Sequence, residues 1–188
     1  MDSIADLETL RYPIGKFHYS DKATTEEVAN WISDIENLPQ QIATAIEGFS
    51  EEQLDTPYRP EGWTVRQVVH HLADSHMNSY IRFKWTLTEN SPTIKAYDEV
   101  LWAELNDAKN APVALSMQLL KALHARWVVM LKNLSEEDLE KHLIHPETGR
   151  QLTLKLMVAL YAWHSKHHLQ HIIALKERMG WGLSLIHI

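Results

Sequence analysis

The stretch YAWHSKHHLQHIIALKERMG, residues 161–180, decides the fold: its periodicity is helical, and histidines sit where a helix bundle expects leucine. Met157, Leu160, Tyr161, His164, His168, His171, Ile172, Leu175 and Met179 recur at three- and four-residue steps, the rhythm of one helix face turned toward a core. His167 falls off that stripe. His164 and His168 are four apart, one turn above each other, so both imidazoles can reach one ion. That spacing alone is a weak signal, and the plain alternative is two core histidines satisfied by carbonyls and waters. Their place on an apolar face favours a metal, since two neutral imidazoles in a core must otherwise each find partners.

Working outward, Thr24-x-x-Glu27 is a capping box ahead of the stripe Val28, Trp31, Ile32, Ile35, Leu38, Ile42, Ala45, Ile46 and Phe49. Pro39 interrupts that stripe without shifting its phase, which predicts one kinked helix. Thr64-x-x-Gln67 opens a second long helix, WTVRQVVHHLADSHMNSYIRFKWTLTE. Tyr97 to Ala108 reads as a short connecting helix, and a third long helix starts near Pro112 with Leu120, Leu123, His124, Trp127, Leu131 and Leu134 on one face. The fourth runs from about Leu152 to Met179, with Gly180 as its stop. Ser50-Glu-Glu and Ser135-Glu-Glu each begin a short extra turn, either an internal echo or two common helix starts. RYPIGKF from Arg11 reads as an extended lead-in, and no segment reads as a strand. Four amphipathic helices predict an all-α four-helix bundle with short connecting helices, a single domain over residues 1–181. The apolar tail 182–188, including His187, is expected to lie outside the fold.

The 188 residues can bury a sizeable core, and 45% hydrophobic with 23% charged content is ordinary for a globular protein. A formal charge of −7 without a Lys/Arg run argues against a nucleic-acid partner. No signal peptide or bilayer-length apolar run is evident, so the expectation is a cytoplasmic protein with no membrane partner. Zero cysteines exclude disulfides, thiolate nucleophiles and Cys-based zinc sites, leaving any metal to the twelve histidines and the carboxylates.

A metal site needs a third ligand from another helix, and His70, His71, His76 and His124 are the candidates. Helix geometry leaves the choice open. His76 and His124 sit nearer the centres of their stripes and also suit plain core contacts, while His70 and His71 flank theirs, so that one of the two is expected to face solvent. Position 165 is Ser165, so the H-E-x-x-H of metalloproteases is missing, and no Glu-x-x-His supports a di-metal carboxylate site.

The second helix together with YAWHSKHHLQHIIALKERMGW resembles the DinB-like superfamily of metal-binding four-helix bundles. Within it the chain is similar to the branch of metal-dependent hydrolase candidates that is also associated with bacillithiol S-transferase activity. The resemblance runs from RYPIGKF through LDTPYRPEGW, YDEVLWAEL and LHARW to Trp181; only the tail departs from it. It implies His71 as the second-helix ligand, the histidine that precedes Leu72 and lies three before Asp74, joined by His164 and His168. It also implies one zinc or nickel ion per chain, and a homodimer.

Three histidines leave a divalent ion coordinatively open, which suits a hydrolase that activates water for a small-molecule substrate. The alternatives are thiol S-transfer, with a low-molecular-weight thiol held as thiolate, and a metal-binding stress protein without turnover. A bundle with no metal is the weakest reading. Around the site, Asp74 either orients a ligand or is solvated, with solvation favoured. His171 either nears the site or packs in the core. Tyr161, Trp163 and Arg126 are candidates for the pocket wall, and the tryptophans are otherwise expected to pack. The loops Asp55–Gly62 and His145–Gly149 are expected to shape the pocket.

Overall fold

A computed structural model describes residues 4–181 of the chain, with side chains from residue 7. The tail after Trp181, and with it His187, lies outside the described residues. Four long helices dominate: α2 (Thr25–Ala45), α4 (Val65–Thr88), α7 (Val113–Leu131) and α9 (Leu154–Arg178). Short elements precede and connect them: α1 (Ile4–Arg11) before α2, and α3 (Glu51–Leu54), α5 (Glu99–Ala103), α6 (Asn106–Asn110) and α8 (Glu136–Glu140) between the long helices.

Local chemistry sets the helix starts. The Thr24 hydroxyl accepts from the Glu27 amide at 3.2 Å, and the Glu27 carboxylate accepts from the Thr24 amide at 2.7 Å. Thr64 and Gln67 repeat the exchange for α4, and the Thr153 hydroxyl caps α9 by accepting from Leu156. Gly180 ends α9 with φ of 68°, a left-handed stop that suits a residue lacking Cβ. Pro39 is accommodated inside one continuous α2.

Three details differ from the sequence reading. A two-stranded antiparallel hairpin, β1 (His142–Ile144) with β2 (Gln151–Thr153), carries the chain into α9. Three residues per strand are too few for period-two alternation to stand out. The connection read as one helix is split into α5 and α6, because Leu105 adopts extended backbone (ψ 155°) between them. Residues 4–11 form α1 at the start of the lead-in.

α2 packs against α7 and α9, and α4 packs against the same two, so α2 and α4 stand diagonally across the bundle. The chain therefore crosses the bundle end between α2 and α4, carrying the loop 55–64 over it. Arg66 pins that crossing. Its side chain, 5% exposed, donates to Asp55 at 2.6 Å, to Glu51 at 2.5 Å and to the Ala111 carbonyl at 3.1 Å.

Apolar packing falls into two clusters. Ile35, Phe83, Trp127, Leu131 and Met157 belong to one, and Leu38, Val69, Leu72, Leu120 and Ile172 to the other. The histidines of α4, α7 and α9 lie between them in sequence: His76 separates Leu72 from Phe83, His124 separates Leu120 from Trp127, and His164 and His168 separate Tyr161 from Ile172. No helix among the described residues is long and apolar enough to cross a membrane.

Candidate metal centre

His71 on α4 and His164 and His168 on α9 converge, with one ring nitrogen from each lying within 4.8 Å of the others. His71 and His168 are buried; His164 is half-buried, its open edge lining a cavity of about 520 Å³. His71 Nε2 and His164 Nε2 are 3.2 Å apart. Two donors about 2.0–2.1 Å from a tetrahedral ion stand roughly 3.3 Å from each other, so this pair already has ligand spacing. Burial pushes His71 down to about 4 and holds His164 and His168 well below the usual histidine range, with the neighbouring imidazoles adding to the effect. All three are therefore neutral near pH 7, the form that donates to a metal. His168 Nδ1 is enclosed without a hydrogen-bond partner. A buried polar atom of that kind asks for an ion or water nearby. The donor set fits a divalent metal.

His70 and His71 are both buried, contrary to the expectation that one faces solvent. Adjacent residues on a helix point about 100° apart, and the start of α7 covers the second direction. His70 Nδ1 lies 2.7 Å from Ser116 Oγ and its Nε2 lies 3.1 Å from the Ala111 carbonyl, so both nitrogens are occupied. His76 and His124 are core residues bonded to each other at 2.8 Å, with His76 Nε2 3.1 Å from His164 Nδ1.

His167, off the apolar stripe, is nonetheless buried. The lead-in covers that side of α9: Tyr12 and Trp163 flank the His167 ring, and Trp163 Nε1 donates to the Gly15 carbonyl at 3.3 Å. Met179, by contrast, is exposed, so the stripe ends at Leu175. His171 reaches the cavity, stacking on Tyr58 with centroids 3.9 Å apart. Its Nε2 lies 3.2 Å from the Arg11 carbonyl, which only accepts, so Nε2 carries the hydrogen and Nδ1 is an enclosed acceptor without a partner.

The cavity wall differs from the expected one. Trp163 lines it, whereas Tyr161 is buried beneath, its hydroxyl donating to the Ser75 carbonyl at 3.4 Å, and Arg126 is exposed over Tyr80. Loop 55–62 does shape the cavity through Tyr58, Arg59 and Glu61, but loop 145–149 lines a separate depression. Trp63 packs over His71 with centroids 4.6 Å apart, so not every tryptophan is mere packing. Asp74 is half-buried outside the three-histidine group, its carboxyl pushed up to about 6 by burial and by Asp107. Tyr58, Trp63 and Tyr97 carry no motif of their own; their place on the wall follows from loops that periodicity does not describe.

The profile of the DinB superfamily matches residues 34–172. A Bacillus cereus protein named as a candidate metal-dependent hydrolase is 54% identical over 175 residues, covering 93% of this chain and all of its own. Similarly named proteins of Bacillus thuringiensis subsp. konkukian and Bacillus anthracis match at the same identity and coverage. Among solved structures, Bacillus subtilis YfiT superposes with a TM-score of 0.90 at 48% identity, over 92% of this chain and 99% of that one. It is described as a metal-dependent hydrolase candidate with an unusual four-helix bundle topology.

Proposed function

This chain belongs to the DinB superfamily, and from that premise we propose that it is a metal-dependent hydrolase whose zinc or nickel ion is held by His71, His164 and His168. The observation that carries the reading is the convergence of three neutral ring nitrogens, from two different helices, beside a cavity large enough for a small molecule. A divalent ion bound there supplies Lewis acidity and a lowered pKa for water, about 7 in the best-known zinc sites.

The chain's own residues prepare the surroundings. Trp63 and Tyr58 wall the cavity with apolar surface, limiting water beside the reacting group. His171 lines the cavity with its ring held in place, Nε2 donating to the Arg11 carbonyl and the ring stacked on Tyr58. Burial pushes Tyr97 up to about 12, so its phenol keeps its proton and stays able to donate. Arg59, whose Nη1 donates to the Pro60 carbonyl at 2.8 Å, adds a cation to the cavity wall.

The test is a screen of the chain loaded with zinc or nickel, beside His168→Ala, against ester and amide substrates and against thiol-plus-electrophile pairs. Hydrolysis that disappears in His168→Ala is the expected result. Turnover confined to the thiol pairs would reassign the reaction to S-transfer. Stoichiometric metal with no turnover in either set would leave a binding protein and sink the enzyme reading.

A further inference from the structure

We propose that His76 and His124 are positioning residues for the metal centre, joining the Ile35 carbonyl to His164 in a one-way line of hydrogen bonds that leaves His164 Nε2 bare for an ion. The proposal rests on His164 being a ligand, as argued above.

The line begins in α2. A helical carbonyl receives the amide hydrogen four residues on, and four residues beyond Ile35 stands Pro39, which has none. The Ile35 carbonyl thus lacks its usual helical donor, and His124 Nδ1 lies 2.7 Å from it. A carbonyl oxygen only accepts, so His124 Nδ1 carries the hydrogen. His124 is 2% exposed and neutral, so its Nε2 holds a lone pair. His76 Nδ1, 2.8 Å from that lone pair, must donate to it. His76 is fully buried and neutral in turn, so its Nε2 accepts, and the donor 3.1 Å away is His164 Nδ1. A neutral His164 with hydrogen on Nδ1 has none on Nε2, the nitrogen that faces His71.

Every step follows from the one before, and the first is set by a proline. All four long helices take part: α2 supplies the carbonyl, α7 His124, α4 His76 and α9 His164. Reversing any link would set two hydrogens or two lone pairs against each other in a buried layer. Partners of this kind orient metal-bound imidazoles and commonly carry tenfold to hundredfold in metal affinity.

The experiment reads tautomers in the metal-free protein by long-range ¹H–¹⁵N NMR of the histidine rings. Hydrogen on Nδ1 of His124, His76 and His164 is expected; hydrogen on Nε2 of His124 or His164 in the folded chain overturns the proposal. A second measurement is the affinity for zinc by chelator competition, with no turnover involved. His124→Leu removes the acceptor for His76 and is expected to weaken zinc binding about 10–100-fold, whereas His124→Gln keeps a donor and an acceptor and largely restores it. A folded His124→Leu that binds zinc as tightly as the parent also overturns the proposal. Should His124→Leu fail to fold, the tautomers of the parent protein decide. Loss of zinc binding in His71→Ala tests the ligand set separately, so the two readings fail in different experiments.

Discussion

Pro39 stands four residues beyond Ile35 inside an unbroken α2, and His124 takes the carbonyl that the proline cannot. A proline in a helix interior costs about 3 kcal/mol relative to alanine, and that cost is retained here in the middle of a buried stripe. Pro39→Ala recovers the helix term and loses part of the buried ring, worth about 1–2 kcal/mol. The net expectation is a gain of about 1–2 kcal/mol in urea unfolding, or a melting temperature higher by roughly 2–8 °C. A less stable variant would show that packing, not the backbone, governs this position.

Metal binding should register as stability. An ion that binds only the folded state at about 100 times its Kd adds about 2.7 kcal/mol, or roughly 5–11 °C for a chain of this size. The parent protein stripped with chelator and reloaded with zinc should show that rise in a thermal melt. His168→Ala should keep its helical circular dichroism and show no rise. An equal rise in both would place the stabilising ion away from His168.

The long helices are legible in the sequence because Thr24 and Thr64 sit at capping spacing and apolar residues repeat on one face. The His164–His168 pair is legible for the same reason: one helix carries both, and spacing within a helix is geometry. The third proposed ligand is different. His70 and His71 are distinguished by Ser116 and Ala111, which belong to another part of the chain and occupy both nitrogens of His70. Helix periodicity holds no information about that, and only the resemblance pointed to His71. Burial of His167 likewise depends on Tyr12 from the lead-in, and the link between Ile35 and His124 joins residues 89 apart. Local pattern reveals which residues share a face; it does not reveal what lies against that face.

Acid should unfold the chain steeply. His124 is pushed down to about 4 and His171 to about 3, chiefly by burial, and His76, His164 and His168 lie well below their usual range for the same first cause. A histidine depressed in the fold stabilises it fully above the unfolded pKa near 6.5, and that contribution is lost as pH falls. At pH 5 each fully neutral ring withholds about 2 kcal/mol, and several together approach the whole stability of a typical domain, about 5–15 kcal/mol. Metal-free protein followed by circular dichroism should therefore unfold between about pH 6 and pH 4.5. A fold intact at pH 4 would mean that burial depresses these rings less than argued, so that acid draws too little stability from the fold to unfold it.

Asp74 acts with the opposite sign. Its carboxyl is pushed up to about 6, first by burial and then by Asp107, so the folded state holds the proton more tightly than the unfolded chain does. The group favours folding most at low pH, and its contribution is lost as pH rises from about 4 through 6. Asp74→Asn keeps the shape and removes the titration. The variant should gain on the parent as pH rises from 5 to 7, by about 1 kcal/mol once the half-exposed setting is allowed for. Because both proteins lose the histidine contribution alike, the difference between their urea midpoints isolates this carboxyl. A difference that stays flat from pH 5 to 8 would show that Asp74 is solvated and ionises freely in the folded chain.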